Sequence, residues 1–406
     1  MLSCALVPVS VTPMDKQMDV RTDVAVVGLG AMGAATLYQL AQRGVAAIGI
    51  DRFAPPHTMG STHGDTRITR RAVGEGDAYV PFVTRSHAIW RTLEAATGET
   101  LFNPCGLLVM APRGVRTGQH GKADFLRTTI TVAERHAIPH DVLDAPALAA
   151  RFPCFTLHGD EEACHELGGG YVHPERCVAA QLQQAAAGGA TILTGRTVMA
   201  IRRQGTAMAV ETDAGTIRAD QVVVAAGAWA GPLLGAAYAA TLVPYRQTLH
   251  WFPVANPDAH RPGASPAYIW RHGAETDAHF YGFPALPGQT VVKAATEQYA
   301  DRCDPDTMDR VVSAQESADM YAAHVEGRIR GAGPHATRAA TCLYTITPDS
   351  GFVIGRHPKD DRIVVVSPCS GHGFKHSAGI GESVAQLVCD GRSAIDLAPF
   401  ALEWRA

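Results

Sequence analysis

The sequence predicts an α/β fold, α+β overall, with two interleaved domains: one on a parallel sheet with packed helices, the other on an antiparallel sheet. Three observations support this prediction. The N-terminal part reads as strand, glycine-rich turn, helix and strand. The middle part alternates apolar and polar residues, as antiparallel strands do. The C-terminal part returns to strand, turn and helix, so the first pattern is interrupted and then resumed.

The composition is that of an ordinary globular protein and argues against several classes of function. Of the 406 residues, 46% are hydrophobic and 18% are charged, and the length exceeds what one core usually holds. The net charge of -4, without a block of like charges, argues against a nucleic-acid partner. Residues 1–21 are expected to be a flexible leader. Their apolar run is too short to span a membrane and lacks the basic segment of a signal peptide.

Cysteine and histidine usage points to a reducing, cytoplasmic setting without a metal site. The nine cysteines are scattered and form no CxxC pair, so neither a disulfide framework nor a zinc-type site is predicted. The 18 histidines form no HExxH-like pair. We therefore predict no bound metal.

A nucleotide-binding unit is predicted near the N-terminus. Residues 23–28 read DVAVVG, which is apolar on both faces, as a buried parallel strand should be. A helical run follows up to Gly44, the expected C-cap. A second apolar strand over 45–50 leads into Asp51, so the unit has the order strand, helix, strand.

The turn inside this unit reads GLGAMG, a GxGxxG motif. Gly28 makes the tight turn, Gly30 lets backbone approach a pyrophosphate, and Gly33 lets helix pack on strand. The helix N-terminus adds N–H donors for an anion, and Asp51 is placed to accept hydrogen bonds from a ribose. The unit predicts a bound dinucleotide, but the motif alone does not separate NAD from FAD.

The remaining elements outline two domains. Strands are expected at 106–111, 190–198 and 220–226, antiparallel strands between 244 and 292, and a strand, turn and helix over 362–391. The nucleotide-binding domain is assigned to residues 22–104, 165–242 and 348–395. The substrate domain is assigned to residues 105–164 and 243–347.

Four further segments are specific to one family. They read FAPPHTMGSTHGDTRITRRAVGEG at 53–76, GGYVHPE at 169–175, PYRQ at 244–247 and SGHGFK at 370–375. In these segments the chain resembles the monomeric sarcosine oxidase and N-methyltryptophan oxidase family, FAD-dependent amine oxidoreductases of the D-amino-acid-oxidase-like superfamily. The resemblance implies FAD as the cofactor and a Rossmann-like FAD-binding domain interleaved with an antiparallel-sheet catalytic domain.

The resemblance also implies which residues hold the flavin. The turn 370–374 would bring backbone N–H groups to the flavin N1–C2=O edge, where negative charge develops on reduction. His63, Thr66 and Arg67 match positions that line the flavin, although each also suits a loop-stabilising role. The full set of predicted FAD-binding residues is Gly28, Gly30, Met32, Gly33, Asp51, Arg52, Ser61, His63, Thr66, Arg67, Val198, Gly227, Cys342, Gly371, His372, Gly373, Phe374 and Lys375.

Cys342 is predicted to bond covalently to the flavin. It lies in the segment ATCLYTITPDSGFVIG, and in the resembling family a cysteine in the same AxCxYTxT setting is bonded to the flavin 8-methyl carbon. The chemistry is reasonable because a thiolate can attack that electron-poor carbon. The alternative is an ordinary buried and inert cysteine.

Three cations are assigned by resemblance to the substrate and to oxygen. Arg70 and Lys375 match the pair that holds the substrate carboxylate. A lysine at a helix N-terminus also suggests a nearby anion, either the flavin or that carboxylate. Lys293 matches the lysine near flavin N5 at which oxygen is reduced, and Tyr281 matches a pocket tyrosine. The alternatives are a surface arginine for Arg70, an edge-strand lysine for Lys293 and a packing role for Tyr281.

These residues predict an FAD-dependent amine oxidase that acts as a monomer. The C–N bond of a small secondary or cyclic amino acid would be oxidised to an imine, with oxygen reduced to hydrogen peroxide. No strong base is needed if the amine binds neutral or becomes deprotonated. The rivals are a dehydrogenase that uses another electron carrier, a non-catalytic flavoprotein, and an NAD-dependent enzyme, which Cys342 and the HGDTR segment argue against.

One departure from the family bears on specificity. The family carries a histidine four residues after the oxygen-side lysine, whereas this chain has Glu297 there. A glutamate accepts a proton or pairs with an ammonium better than a neutral imidazole does, unless it is a plain surface residue. Trp270 is expected to reach into the same pocket. Both predict that sarcosine is not the preferred substrate, and that a cyclic amino acid, an imine or a larger N-alkyl amino acid is.

Overall fold

The computed structural model describes residues 18–116 and 123–401. The predicted leader therefore lies outside the described residues as far as residue 17, and from Met18 onward the chain is in its first strand. None of the helices in the described part of the chain combines the length and the apolar character that crossing a membrane requires.

The described residues form nineteen strands and nine α-helices. The strands are β1 (Met18–Val27), β2 (Ala47–Asp51), β3 (Arg67–Thr69), β4 (Phe102–Asn103), β5 (Leu107–Pro112), β6 (His140–Leu143), β7 (Glu161–Glu166), β8 (Gly170–Val172), β9 (Thr191–Thr194), β10 (Val198–Gln204), β11 (Ala207–Thr212), β12 (Gly215–Val224), β13 (Val243–Pro253), β14 (Ala267–Arg271), β15 (His279–Phe283), β16 (Val291–Ala295), β17 (Arg338–Ile346), β18 (Val353–His357) and β19 (Asp360–Ser367). The helices are α1 (Ala31–Ala41), α2 (Val80–Thr97), α3 (Phe125–Arg135), α4 (Ala145–Arg151), α5 (Pro174–Ala187), α6 (Ala230–Leu234), α7 (Ala236–Thr241), α8 (Ala314–Met320) and α9 (Ser377–Asp390). A π-helical turn, Tyr321–Val325, directly follows α8.

The first sheet has β1 at its centre. β1 pairs in parallel with β12 on one side and with β2 on the other, and parallel pairing continues from β2 to β9 and from β12 to β19. The antiparallel strands β10, β11 and β18 complete the sheet. Val24 and Val26 face one hydrophobic cluster, while Ala25 and Val27 face another. Burial on both faces explains why this strand reads as a continuous apolar run.

The second sheet has the strand order β17-β13-β16-β15-β14-β5-β7-β6. Its neighbouring strands are antiparallel except for β14 and β5, which are parallel. The predicted fold class is therefore confirmed: a parallel sheet with packed helices is combined with a mainly antiparallel sheet. The parallel pair is a detail that the sequence pattern does not predict.

The N-terminal unit differs from its prediction at two boundaries. β1 begins at Met18, earlier than predicted, because β12 offers it backbone partners as far as Gly215. Helix α1 ends at Ala41, and Gly44, the expected cap, follows with a φ of +69°. α1 packs against both α5 and α9.

A small third sheet, β3-β8-β4, connects two of the segments that carry the resemblance. β3 pairs antiparallel with β8, so that Arg67 stands opposite Val172 and Thr69 opposite Gly170. A Cβ on Gly170 would lie 2.1 Å from the carbonyl oxygen of Asn103, so β8 has no space for a side chain there. This sheet fixes β3 and the residues that follow it.

Candidate active site

The glycine-rich turn after β1 is tightly packed on one side and open on the other. A Cβ on Gly33 would lie 1.7 Å from the Gly28 carbonyl oxygen, and a Cβ on Gly28 would lie 2.6 Å from that of Ala225. Gly28 also has a φ of +86°, which favours glycine. A Cβ on Gly30 would meet only Thr62 Oγ1, at 3.6 Å. The turn therefore leaves space for a ligand beside Gly30.

Asp51 ties the end of β2 to this turn. Its Oδ2 accepts a hydrogen bond from the Leu29 N–H at 2.7 Å, and its Oδ1 accepts one from the Phe53 N–H at 2.7 Å. Asp51 is buried and also lines the adjacent cavity. The carboxylate thus supports the turn, and it is also available to a ligand.

A cavity of about 450 Å³ extends from the glycine-rich turn to the turn before α9. The predicted FAD-binding residues that line it are Gly28, Gly30, Met32, Asp51, Arg52, Ser61, Arg67, Val198, Gly227, Gly371, Gly373 and Phe374. The predicted residues that do not line it are Gly33, His63, Thr66, Cys342, His372 and Lys375. Two distant parts of the chain therefore enclose one space.

The lining of this cavity fits FAD. Helix α1 has no side-chain cap at Gly30 and no acidic residue in its first turn, so its N-terminal N–H groups and dipole favour an anion such as a pyrophosphate. At the other end, Tyr344 and Phe374 offer aromatic surface to a ring system. The helix N-terminus therefore suits the pyrophosphate of FAD, and the aromatic surface suits its flavin ring.

Cys342 lies on β17 beside Arg67. Arg67 donates hydrogen bonds to Cys342 Sγ at 3.4 Å and to the Ser61 carbonyl oxygen at 2.8 Å. Cys342 is 1% exposed and is a free cysteine. Arg67 and Ser61 both line the cavity, so the sulfur lies directly behind the cavity wall. The guanidinium provides the positive charge that a nucleophilic thiolate requires.

His63 and Thr66 are buried behind the same wall. Burial, together with the charges of Arg67 and Lys293, lowers the pKa of His63 to about 3, so its ring is neutral. Among the described residues His63 Nε2 has no hydrogen-bond partner, whereas Thr66 accepts hydrogen bonds from Lys293. Thr66 therefore has the loop-stabilising contacts that were its alternative, and Nε2 of His63 is available to a ligand.

Lys293 is buried in the middle of the second sheet, since β16 lies between β13 and β15, so the edge-strand alternative is excluded. Its Nζ donates to the carbonyl oxygens of Gly64 and Thr66 at 2.7 and 2.8 Å and to Thr66 Oγ1 at 3.1 Å. Nζ also lies 4.5 Å from the centre of the Phe283 ring. Burial lowers the pKa of Lys293 well below its usual value. The three oxygen acceptors match the three protons of an ammonium.

Arg70 and Lys375 meet at a third residue, Glu75. Arg70 Nη2 lies 3.2 and 3.1 Å from the two Glu75 oxygens, and Lys375 Nζ lies 3.3 Å from Glu75 Oε1. Arg70 is 1% exposed, which excludes the surface alternative. The anion beside Lys375 is therefore the protein's own carboxylate. Glu75 is an anion that the sequence analysis did not name, and the expected contact of Lys375 with the flavin or a substrate carboxylate stays a prediction.

The Arg70 and Lys375 cluster has capacity for a second anion. Burial lowers the pKa of Lys375 to about 8, so its amine is still mostly protonated at neutral pH. Two cations then face the single carboxylate of Glu75. Arg70 Nε is also a buried donor without a hydrogen-bond partner among the described residues. Lys375 directly follows Phe374, which lines the cofactor cavity, and Arg70 directly follows β3, so the chain links the cluster to the cavity wall.

Tyr281, Tyr344 and Glu297 form a polar group next to these cations. The hydroxyls of Tyr281 and Tyr344 are 3.2 Å apart, and burial raises the pKa of Tyr281 to about 12. Glu297 is 7% exposed, so the surface alternative is excluded, and it accepts a hydrogen bond from Tyr299 at 2.9 Å. The charge of Glu297 acts on Tyr281, on the cavity residue Tyr344 and on Lys375.

Trp270 lies on the other face of the second sheet, so the prediction that it reaches into this pocket is wrong. In the pairing of β14 with β15, Trp270 stands opposite Phe280, the residue before Tyr281. Successive side chains of a strand point to opposite faces, so Trp270 and Tyr281 lie on opposite sides of the sheet. Trp270 is fully buried and packs against Phe155, with ring centroids 5.9 Å apart.

Several residues of the site are missed by sequence reasoning. Arg196, Trp229 and Cys369 also line the cavity. Cys369 directly precedes the SGHGFK segment, and Glu75 lies within the 53–76 segment. A buried pair of cations requires a nearby acid, which would have been a signal for Glu75. His279, whose Nε2 lies 3.8 Å from Glu297 Oε2, has no signal in the sequence.

The sequence of this chain is similar to those of known oxidoreductases. The model of the family described as FAD dependent oxidoreductase matches residues 23–387. Monomeric sarcosine oxidase of Bacillus sp. (strain NS-129) is 35% identical over 95% of this chain and 97% of its own length. N-methyl-L-tryptophan oxidase of Yersinia pestis (strain Pestoides F) is 31% identical over 94% of this chain and 98% of its own length.

Solved structures share the fold. NikD, described as an unusual amino acid oxidase essential for nikkomycin biosynthesis, superposes with a TM-score of 0.81 at 24% identity, covering 94% of this chain and 97% of that one. L-proline dehydrogenase from P. horikoshii superposes with a TM-score of 0.76 at 19% identity, covering 95% and 97%. With a family model that matches most of its length and relatives that align almost end to end, the chain belongs to the FAD dependent oxidoreductase family.

Proposed function

We propose that this enzyme oxidises the C–N bond of a small secondary or cyclic amino acid to an imine. The observation that carries the proposal is the buried cluster of Arg70, Lys375 and Glu75, in which Lys375 directly follows the cavity residue Phe374. Its two cations exceed its one carboxylate, so a substrate carboxylate would complete the charge balance. The names of the relatives, oxidases of sarcosine and N-methyl-L-tryptophan, support the same substrate class.

Each group in the site has a proposed task. Bound FAD supplies the two-electron acceptor for the amine, and oxygen returns it to its oxidised state with release of hydrogen peroxide. Arg70 and Lys375 orient the substrate through its carboxylate. Lys293 supplies positive charge where oxygen gains electrons. The turn from Gly371 to Phe374 offers backbone N–H groups to the flavin edge.

We further propose that the flavin is bonded to Cys342 and that the enzyme acts as a monomer in the cytoplasm. The Arg67 contact to Cys342 Sγ supports the first part. The second part is supported by the cysteines of the described residues, all of which are free, as expected in a reducing compartment. Several relatives are named monomeric sarcosine oxidase, which supports a monomer.

An amine panel with peroxide detection tests the function and its substrate range. The panel contains sarcosine, N-methyltryptophan, proline and pipecolate, and kcat/KM is measured for each. We expect stoichiometric peroxide, and because of the buried Glu297 we expect sarcosine not to have the highest kcat/KM. Oxidation that needs an added electron carrier would indicate the dehydrogenase instead. A highest kcat/KM for sarcosine would remove Glu297 as a determinant of specificity.

Arg70→Met should weaken the binding of carboxylate inhibitors by about tenfold or more, because losing a charge-assisted hydrogen bond costs roughly 1.5–3 kcal/mol. Inhibitor affinity is measured by titrating the flavin spectrum. Arg71→Met is the matched control, since Arg71 is the next residue and its side chain is 31% exposed. Unchanged inhibitor affinity in Arg70→Met, or equal losses in the two variants, would contradict a carboxylate-binding role.

A further inference from the structure

We infer that Glu297 and His279 form a proton-accepting pair, and that the enzyme takes its amino acid as the zwitterion and moves one ammonium proton onto Glu297. The inference rests on the proposed function, because the proton comes from the amine that is oxidised. It replaces the expectation that no base is needed. It also assigns a role to a histidine that lies outside the segments of the family resemblance.

A hydrogen bond at Nδ1 fixes which ring nitrogen of His279 carries the hydrogen. Nδ1 lies 3.0 Å from the Thr276 carbonyl oxygen, which can only accept, so Nδ1 carries the hydrogen. In the neutral ring, Nε2 is then a bare lone pair. Nε2 is buried, has no hydrogen-bond partner among the described residues, and lies 3.8 Å from Glu297 Oε2. A proton placed between Nε2 and Oε2 would join the two groups, so the pair offers a place for one proton.

Glu297 is positioned to receive that proton from a substrate. Its charge acts on Lys375, which belongs to the cluster proposed to hold the substrate carboxylate. In an α-amino acid the ammonium is separated from the carboxylate by a single carbon. A substrate held by Lys375 would therefore bring its ammonium towards Glu297. Tyr299 donates to Glu297 Oε2 at 2.9 Å and fixes the orientation of the carboxylate.

The other titratable groups around the pair do not compete for the proton. Five groups interact electrostatically with Glu297: Arg271 on β14, Tyr281 on β15, Tyr299 after β16, Tyr344 on β17 and Lys375 before α9. Two groups interact electrostatically with His279: His272 and His324. Burial raises the pKa of all three tyrosines. Burial also lowers the pKa of His272 to about 3 and that of His324 to about 4. Near neutral pH the three tyrosines and the two histidines stay neutral, and the two cations favour an ionised Glu297.

The step is a simple proton transfer. One N–H bond of the substrate ammonium breaks, and its electron pair stays on the nitrogen. The proton bonds to Glu297 Oε2 and is shared with His279 Nε2, and it passes to water when the product leaves. The resulting neutral amine is the form whose electrons can be withdrawn, and the step itself consumes no oxidant or reductant.

The test is the pH dependence of anaerobic flavin reduction by the best substrate of the panel. In the wild type the apparent second-order rate constant should fall as pH decreases, because a pair that is already protonated cannot accept the ammonium proton. In Glu297→Gln it should be about tenfold lower or more at neutral pH and should recover as pH rises towards the pKa of the free amine. His279→Asn should shift the profile in the same direction by less, as expected of a positioning residue. Glu275→Gln, an exposed change on the same hairpin, should leave the profile unchanged.

The outcomes separate this inference from the proposed function. If Glu297→Gln fails to fold or to retain flavin, the shift in His279→Asn decides the question. Unchanged pH profiles in the folded variants would overturn the inference and leave the proposed function intact. A wild-type protein that is reduced by no amino acid of the panel would overturn the proposed function, and this inference with it.

Discussion

Lys293→Met is expected to slow reoxidation of the reduced flavin by about a hundredfold or more, because it removes a buried positive charge from the place where oxygen would gain electrons. Anaerobic reduction by substrate should change by only about threefold, since the carboxylate cluster of Arg70 and Lys375 is retained. Stopped-flow measurement of the two half-reactions separates these effects. Equal slowing of both would show that Lys293 supports the whole site and does not act on oxygen.

Two further variants control for the loss of a buried side chain. Lys293→Arg keeps the charge and should retain more of the oxygen reactivity than Lys293→Met. Lys359→Met removes an exposed lysine and should leave both half-reactions unchanged. A flavin spectrum like that of the wild type confirms that each variant is folded around its cofactor.

The effect of Lys293 should also depend on pH in a defined direction. Burial lowers the pKa of Lys293, so its ammonium is present below that lowered pKa and is lost as pH rises through it. Reoxidation of the wild type should therefore slow with rising pH, at a pH below the usual titration of a lysine. In Lys293→Met this decline should be absent.

Cys342→Ser is expected to release the flavin completely when the protein is denatured in acid, whereas the wild type should keep the yellow colour in the precipitate. The reason is that a serine hydroxyl lacks the nucleophilicity of a thiolate held against Arg67. Colour in the supernatant of the wild type would contradict the covalent link. So would colour that stays in the precipitate of Cys342→Ser.

Cys369 provides a matched control for this experiment. It lines the cofactor cavity, and its sulfur accepts a hydrogen bond from the Thr345 N–H at 3.3 Å. Burial raises the pKa of its thiol, which disfavours the nucleophilic thiolate. Cys369→Ser should keep the flavin in the precipitate. If this variant alone released the flavin, the attachment would be at Cys369.

Sequence reasoning predicts the parts of the fold that are determined by a short stretch of the chain itself. The turn at Gly28 needs a residue that accepts a φ of +86° and leaves no room for a side chain, and such requirements leave a visible motif. Fully buried parallel strands such as β1 require continuous apolar runs. The family motifs add Arg67 and Cys342, which the structure brings into contact although they are far apart in the chain.

The parts that escape prediction depend on pairing between distant strands. Which face Trp270 occupies follows from the register of β14 with β15, and a one-residue shift would reverse it. The contact of His279 with Glu297 likewise depends on how β15 lies against β16. Apolar and polar alternation identifies such strands but does not fix their register.

The strand order of the first sheet has a consequence for biosynthesis. β1 is synthesised before its partner β12, which ends at Val224. It is also synthesised before β19, which pairs with β12 and ends at Ser367. Pairings between such distant segments form slowly, because a long loop must close before the contacts stabilise it. The glycine-rich turn after β1 therefore cannot be completed until these later strands have been synthesised. Loading of the nucleotide, and any bond to Cys342, therefore follows the synthesis of the segment up to Phe374, because that segment completes the cavity.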